Sequence, residues 1–349
     1  MSNRALLRKI CLLLLVAVLA GPAAGCSLQG FPYATPTATL APSPAPTASQ
    51  TPAPQPTATL TSTPAPLPTA TLAPSPTPYT PYTLETLVLT SKFLAGTRRT
   101  VSVYLPGDYA RYPTRQFPVL YSLDGQELLG IAFEQYLNAS LMARQVEPVI
   151  VVAVHSTDGD LRREELGTGP YLNVFGWGTL SDAFNKFMVS ELAPKIKASY
   201  RTLPGAQNVG IMGWSLGGLA AFYLAWQYPE QYGVVGAFSP SFWWRTASKP
   251  GEEFQARVMH KVVRESAKRP GLRMWFEAGT REDPPTDMDK NGVLDVIQDV
   301  QDLVKELQKK GYQLGTDMLF TQLEGGQHNL TTWAKLFPTF LNWAFPPRS

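Results

Sequence analysis

Val209-Gly210-Ile211-Met212-Gly213-Trp214-Ser215-Leu216-Gly217-Gly218 decides how this chain is read. The apolar run over 209–212 has the composition of a buried strand, and residues 216–226 carry a helical pattern with almost no polar side chain. Between them the chain must reverse within one or two residues. Glycines on either side suit a turn so tight that a Cβ there would strike the neighbouring strand or helix. The serine at the apex is lifted above the sheet, its oxygen at the amino terminus of a helix whose dipole favours developing negative charge. Ser215 is thus predicted to be a nucleophile on a strand-to-helix elbow.

Working outward, strands are predicted over 100–105, 117–123, 149–154, 209–212, 234–238 and 272–276, and helices over 133–143, 183–198, 216–226, 255–267, 293–310 and 330–343. Continuous apolar strands are covered on both faces. Their alternation with helices predicts an α/β fold, a doubly wound and mostly parallel sheet whose chemistry gathers at the carboxyl ends of the strands.

A serine hydroxyl needs a base and an orienting carboxylate, and the chain holds only three histidines. On a strand-to-helix elbow the order is serine, acid, histidine, which discards His155. His260 falls in a helix rich in charge, read as solvated. His328, in Glu324-Gly325-Gly326-Gln327-His328-Asn329, is left as the base. The acid is expected after the strand 272–276, where Glu282 and Asp283 compete; adjacent side chains in an extended loop point oppositely, so one of them meets the histidine. The backbone N–H of Leu216 and that of Gln126, in the turn Asp124-Gly125-Gln126-Glu127, are the expected oxyanion donors.

Pro118-Val119-Leu120-Tyr121-Ser122-Leu123-Asp124-Gly125, Arg162-Arg163-Glu164-Glu165-Leu166, Glu191-Leu192-Ala193-Pro194, the Ser215 elbow and Ser239-Pro240-Ser241-Phe242-Trp243-Trp244 together resemble the esterase family that includes enterochelin (ferric siderophore) esterases, feruloyl esterases and related carbohydrate esterases. The resemblance covers essentially the whole globular part. It implies an α/β-hydrolase fold, Ser215 as nucleophile, His328 as base and an acid three residues after Gly279, which is Glu282; many members carry aspartate there, which keeps Asp283 in contention. Trp214 is bulkier than the residue commonly found before the family's serine and is expected to narrow the pocket.

Trp243 and Trp244 follow a strand end and are candidates for stacking on a sugar or aromatic acyl group. Arg162 is a candidate for a polar substrate, or for a surface ion pair with Glu165. Asp287-Met288-Asp289-Lys290-Asn291-Gly292-Val293-Leu294-Asp295 has oxygen ligands at positions one, three, five and nine and glycine at six, as a calcium loop does. Gln298 at position twelve and Pro284-Pro285 before the loop depart from that pattern. A structural calcium on Asp287, Asp289, Asn291 and Asp295, and a plain acidic surface loop, are both open; catalysis itself calls for no cofactor.

The amino-terminal quarter is of another kind. Arg4, Arg8 and Lys9 precede an apolar run over 10–20 that is short for a bilayer span, and Ala23-Ala24-Gly25-Cys26 ends it. This reads as a lipoprotein signal peptide over 1–25 with Cys26 as the acylated first residue of the mature chain. Cleavage there removes three of the 30 basic residues, none of the 27 acidic ones, and Cys11, leaving one cysteine and no intramolecular disulfide. The basic balance belongs to the signal, so nothing points to a nucleic-acid partner. Residues 26–82 lack charge and carry proline, threonine, alanine and serine, the makings of an extended, disordered stalk. Residues 83–349 form the globular domain. The whole predicts an extracytoplasmic serine ester hydrolase, anchored by lipid and acting on a small-molecule or carbohydrate ester. Acyl transfer to a cell-surface acceptor, or a tethered binding protein on a hydrolase fold, are the alternatives.

Overall fold

In β3 (Val119–Leu123), β4 (Ile150–Val154), β5 (Val209–Trp214) and β6 (Val234–Phe238) every residue is buried, as continuous apolar runs require. These are the centre of one eight-stranded sheet in a computed structural model that describes residues 80–247 and 251–348. The signal, Cys26 and the stalk up to residue 79 lie outside the described residues. The sheet is completed by β1 (Thr83–Thr90), β2 (Arg98–Leu105), β7 (Arg273–Gly279) and β8 (Met318–Leu323), in the order β1-β2-β4-β3-β5-β6-β7-β8. β1, β2 and β4 pair antiparallel and all other neighbours parallel.

The period of two along each strand divides the core. Ile211, Val235, Ala237, Met274 and Phe276 face one layer, which includes the helix Leu216–Gln227. Leu120, Val151, Met212, Trp214, Phe238 and Trp275 face the other, filled by Phe133 and Leu137 of Phe133–Met142 and by Trp333, Phe337 and Phe340 of Leu330–Ala344. Leu216–Gln227 is apolar all round because it is buried along its whole length to Trp226.

Several expectations shift. β1 and β8, at the two edges, were not among the apolar runs: neither is covered well enough to need one. β7 continues past Phe276 to Gly279, so Glu277 is a strand residue buried in the sheet. The predicted helix 183–198 is Ser181–Phe187 and Ala193–Ser199 joined by a π turn, Met188–Leu192, next to Pro194, which can donate no backbone hydrogen bond. Tyr82, read as the last stalk residue, is buried with its hydroxyl donating to Val149 O at 2.9 Å. His260 is not solvated: it is 2% exposed, its Nε2 lies 2.8 Å from Asp299 O, and burial together with the Arg257 charge pushes its pKa down to about 3.

Candidate active site

Ser215 sits at φ 54°, ψ −123°, a conformation disfavoured for any residue with a side chain. It is held there by β6: Ser215 N–H donates to Phe238 O at 2.9 Å, and Ser241 N–H donates to Ser215 O at 3.0 Å. The flanking glycines are demanded by contact. A Cβ on Gly213 would lie 2.4 Å from the carbonyl carbon of Gly217, and one on Gly217 would lie 2.6 Å from Asp124 Oδ2. Ser215 Oγ faces Ser241 Oγ at 3.4 Å and opens onto a cleft of about 730 Å³ that His328, Glu282, Asp283 and Leu216 also line.

Glu282 and Asp283 part company in the bend that follows β7. Asp283 is exposed, whereas Glu282 is 5% exposed and turns inward. Glu282 Oε2 lies 2.5 Å from His328 Nδ1, and Oε1 accepts from Ser239 Oγ at 2.6 Å and from Gly279 N–H at 3.1 Å. Burial alone would push this carboxyl up; the hydrogen bonds from His328, Ser239 and Gly279 outweigh it and hold the pKa below the ordinary glutamate value. His328 packs edge-on against Trp333, ring centres 5.1 Å apart, and is about a third exposed.

Around the expected oxyanion turn, Gly125 N–H donates to Val154 O and Glu127 N–H to Asp124 O, while Gln126 N–H has no acceptor among the described residues. The Gln126 side chain is tied to Ser156 at both ends, Nε2 donating to Oγ at 3.0 Å and Oε1 accepting from N–H at 3.1 Å. Leu216 is the first residue of its helix, where an N–H has no partner within the helix. The fully buried Asp124 accepts from Arg162 Nε at 2.7 Å, from Arg162 Nη2 at 2.6 Å and from Ser156 Oγ at 2.6 Å, which anchors this turn to the helix Gly159–Glu165.

The aromatic and charged candidates need correction. Arg162 lines the cleft, but its ion pair is with Asp124; Glu165 is buried against Arg99 instead. Trp243 lines the cleft. Trp244 does not stack on anything entering it: the indole is fully buried, packed against Gly167 and Gly178, with Nε1 donating to Tyr171 O at 3.2 Å. Trp214 does not narrow the pocket, because strand alternation turns it to the opposite layer, where it stacks on Trp333 at 5.6 Å and donates to Glu127 Oε2 at 2.5 Å. The sequence reading missed Ser239 and Ser241, which touch Glu282 and Ser215, and also Trp177, Arg163 and Arg245 on the cleft wall. The position of Ser239-Pro240-Ser241 at the carboxyl end of a parallel strand was the available signal.

In the acidic loop, Asp287, Asp289 and Asn291 come together, and the aspartates accept hydrogen bonds from the loop itself: Asn291 N–H to Asp287 Oδ1 at 3.1 Å, Gly292 N–H to Asp287 Oδ2 at 2.9 Å, Asn291 Nδ2 to Asp289 Oδ2 at 3.1 Å. Gln298 Nε2 also donates to Asp289 Oδ2, at 2.9 Å. Asp295 begins the helix Asp295–Lys309 and accepts from Met288 N–H at 3.0 Å. No group of three or more acidic, histidine or cysteine side chains suited to a metal occurs among the described residues.

The strand order and the place of the elbow, after a central parallel strand, make this an α/β hydrolase. A ferulic acid esterase structure superimposes with a TM-score of 0.58 at 17% identity, over 76% of this chain and 98% of that one. The chain belongs to the family described as Putative esterase, a class of carboxylic-ester hydrolases, whose profile matches residues 91–344. An uncharacterized protein of Bacillus subtilis, YbbA, is 24% identical over 73% of this chain and 95% of its own length. The iron(III) enterobactin esterase of Escherichia coli is 26% identical over 71% of this chain, which spans only 53% of that enzyme's length.

Proposed function

We propose that this protein is a serine esterase that works through an acyl-enzyme and is tethered outside the cytoplasm through lipid on Cys26. The observation that supports the chemistry most is the buried Glu282 carboxylate against His328 Nδ1, with His328 and Ser215 facing one cleft. Ser215 Oγ attacks the ester carbonyl carbon while His328 Nε2 takes the hydroxyl proton, and Glu282 stabilises the imidazolium. Leu216 N–H and Gln126 N–H hold the oxyanion. The C–O bond to the alcohol breaks as His328 returns the proton to it. Water, deprotonated by His328, then attacks the acyl-serine, releasing the acid and restoring Ser215. Side chains, the two backbone N–H groups and water supply every step.

The substrate proposed is a small-molecule or carbohydrate ester; the names of two similar proteins specify enterobactin and ferulic acid for those enzymes. Trp177 and Trp243 offer aromatic faces to it, and Arg162 and Arg245 offer positive charge. A fluorophosphonate probe is expected to label Ser215 and no other residue, as read by peptide mass spectrometry. A chain that stays unlabelled while folded is a binding protein instead. For the tether, Cys26→Ser is expected to move the protein from the membrane to the soluble fraction of cells that express it. Retention of the variant in the membrane fraction would refute acylation as the anchor.

A further inference from the structure

Behind the Glu282–His328 pair lies a second carboxyl group that the proposed mechanism does not use. Glu277 of β7 is fully buried, on the sheet face covered by Leu330–Ala344, with Oε2 3.3 Å from Ser239 Oγ. The same Ser239 Oγ is 2.6 Å from Glu282 Oε1 and accepts from Trp333 Nε1 at 2.9 Å. Counting hydrogens decides the arrangement. The indole N–H can only donate, so it occupies one lone pair of the hydroxyl. The hydroxyl has a single hydrogen, and two carboxyl oxygens compete for it. The nearer one, Glu282 Oε1, takes it, so Glu277 Oε2 meets Ser239 Oγ favourably only by bringing a hydrogen of its own. The other oxygen, Glu277 Oε1, has no hydrogen-bond partner, which is tolerable for the carbonyl of a neutral acid and costly for half of a buried carboxylate.

We propose that Glu277 is a neutral positioning acid of the esterase site: its Oε2–H donates to Ser239 Oγ, which donates to Glu282 Oε1, and so fixes the carboxylate that orients His328. This rests on the esterase reading above. The groups that face Glu277 are Ser239 at the end of β6, Thr321 beside it on β8 and Glu282 in the loop after β7, with His328 reached only through Glu282. Burial first, and then the Glu282 charge, push the Glu277 pKa up to about 8. Glu277 is therefore protonated at pH 7 and loses its proton as pH rises through about 8. Two carboxylates then share one hydroxyl hydrogen, and Glu282 Oε1 loses part of its hold.

The test is the pH dependence of p-nitrophenyl acetate hydrolysis by the full chain. For the wild type, kcat is expected to fall roughly tenfold between pH 7 and pH 9.5 with KM little changed, since small misplacements of a catalytic group cost up to about 100-fold. Glu277→Leu, which supplies no hydrogen, should lower kcat by a similar factor at every pH. Glu277→Gln, whose amide N–H donates as the neutral acid does, should restore the pH 7 value and lack the alkaline fall. An alkaline fall that persists in Glu277→Gln, or a wild-type kcat flat to pH 9.5, overturns the proposal. Should the variants not fold, infrared titration of the wild type with 13C confined to glutamate carboxyls decides it, because that label excludes the buried Asp299, whose pKa burial also raises to about 7. A glutamate-acid carbonyl band must vanish near pH 8; its absence at pH 7 overturns the proposal. If the protein hydrolyses no ester at all, the esterase reading falls, and the infrared band still reports on Glu277.

Discussion

Replacement of Ser215 by alanine is expected to lower kcat on a short p-nitrophenyl ester by about 10⁶-fold, leaving only the roughly 10³–10⁴-fold advantage over water that oxyanion donors and binding supply without a nucleophile. The fold should survive, because alanine keeps the Cβ and the backbone bonds to Phe238 and Ser241, and gives up only the 3.4 Å approach to Ser241 Oγ. Melting temperature is thus the control, and a second substitution sharpens it. At φ 54°, ψ −123° any Cβ is strained, so Ser215→Gly should be as inactive as alanine yet more stable by about 1 kcal/mol, within the ~1–3 kcal/mol typical of such backbone strain. Inactive variants that melt at or above the wild type mean that the strain serves to expose Oγ. Undiminished turnover in Ser215→Ala would move the chemistry elsewhere in the cleft.

What the sequence allowed to be read, and what it did not, follows from the range of each interaction. The elbow is local: two glycines, a serine, an apolar run before and after, and the contacts at Gly213 and Gly217 arise within the motif or one strand away. His328 emerged because chain order left little else. The failures concern direction and distant partners. Trp214 and Trp244 were bulky residues near Ser215, but the period of two sends Trp214 through the sheet, and the turn after β6 drives Trp244 into the core. Arg162 and Glu165, three residues apart on a helix, look like a pair. Each instead finds a partner 38 or 66 residues away, Asp124 or Arg99, which no local spacing announces. His260 was judged by the charges around it, whereas Val258, Met259 and Val263 carry its face of the helix Val258–Glu265 into the core. Glu277 was passed over for the opposite reason: an acid ending an apolar run looks like the start of a loop, and only the pairing of β7 with β6 as far as Glu277 and with β8 as far as Gly279 puts it inside.

The second large effect separates the neighbours that sequence left in competition. Glu282→Gln is expected to lower kcat by about 10³–10⁴-fold with KM little changed, and Asp283→Asn to leave kcat within about threefold of wild type. The amide can keep the inner hydrogen bonds, with its oxygen accepting from Ser239 Oγ and Gly279 N–H as Glu282 Oε1 does now. Its NH2 group then faces His328 Nδ1 where Oε2 stood, and since that group only donates, Nδ1 must turn its lone pair toward it. The imidazole proton moves to Nε2, which can no longer take the proton of Ser215, and no carboxylate remains to stabilise an imidazolium. Asp283 also lines the cleft, but it is exposed, and the carboxylate on His328 Nδ1 is that of Glu282, so the Asp283 amide removes a charge from the cleft wall without touching the Glu282–His328 pair. Glutamine matches glutamate in volume at a site that is 5% exposed, so both variants should fold, and melting curves beside the rates will show it. A full rate in Glu282→Gln together with a collapse in Asp283→Asn would make the exposed aspartate the working acid, and would require the loop after β7 to turn over when substrate binds.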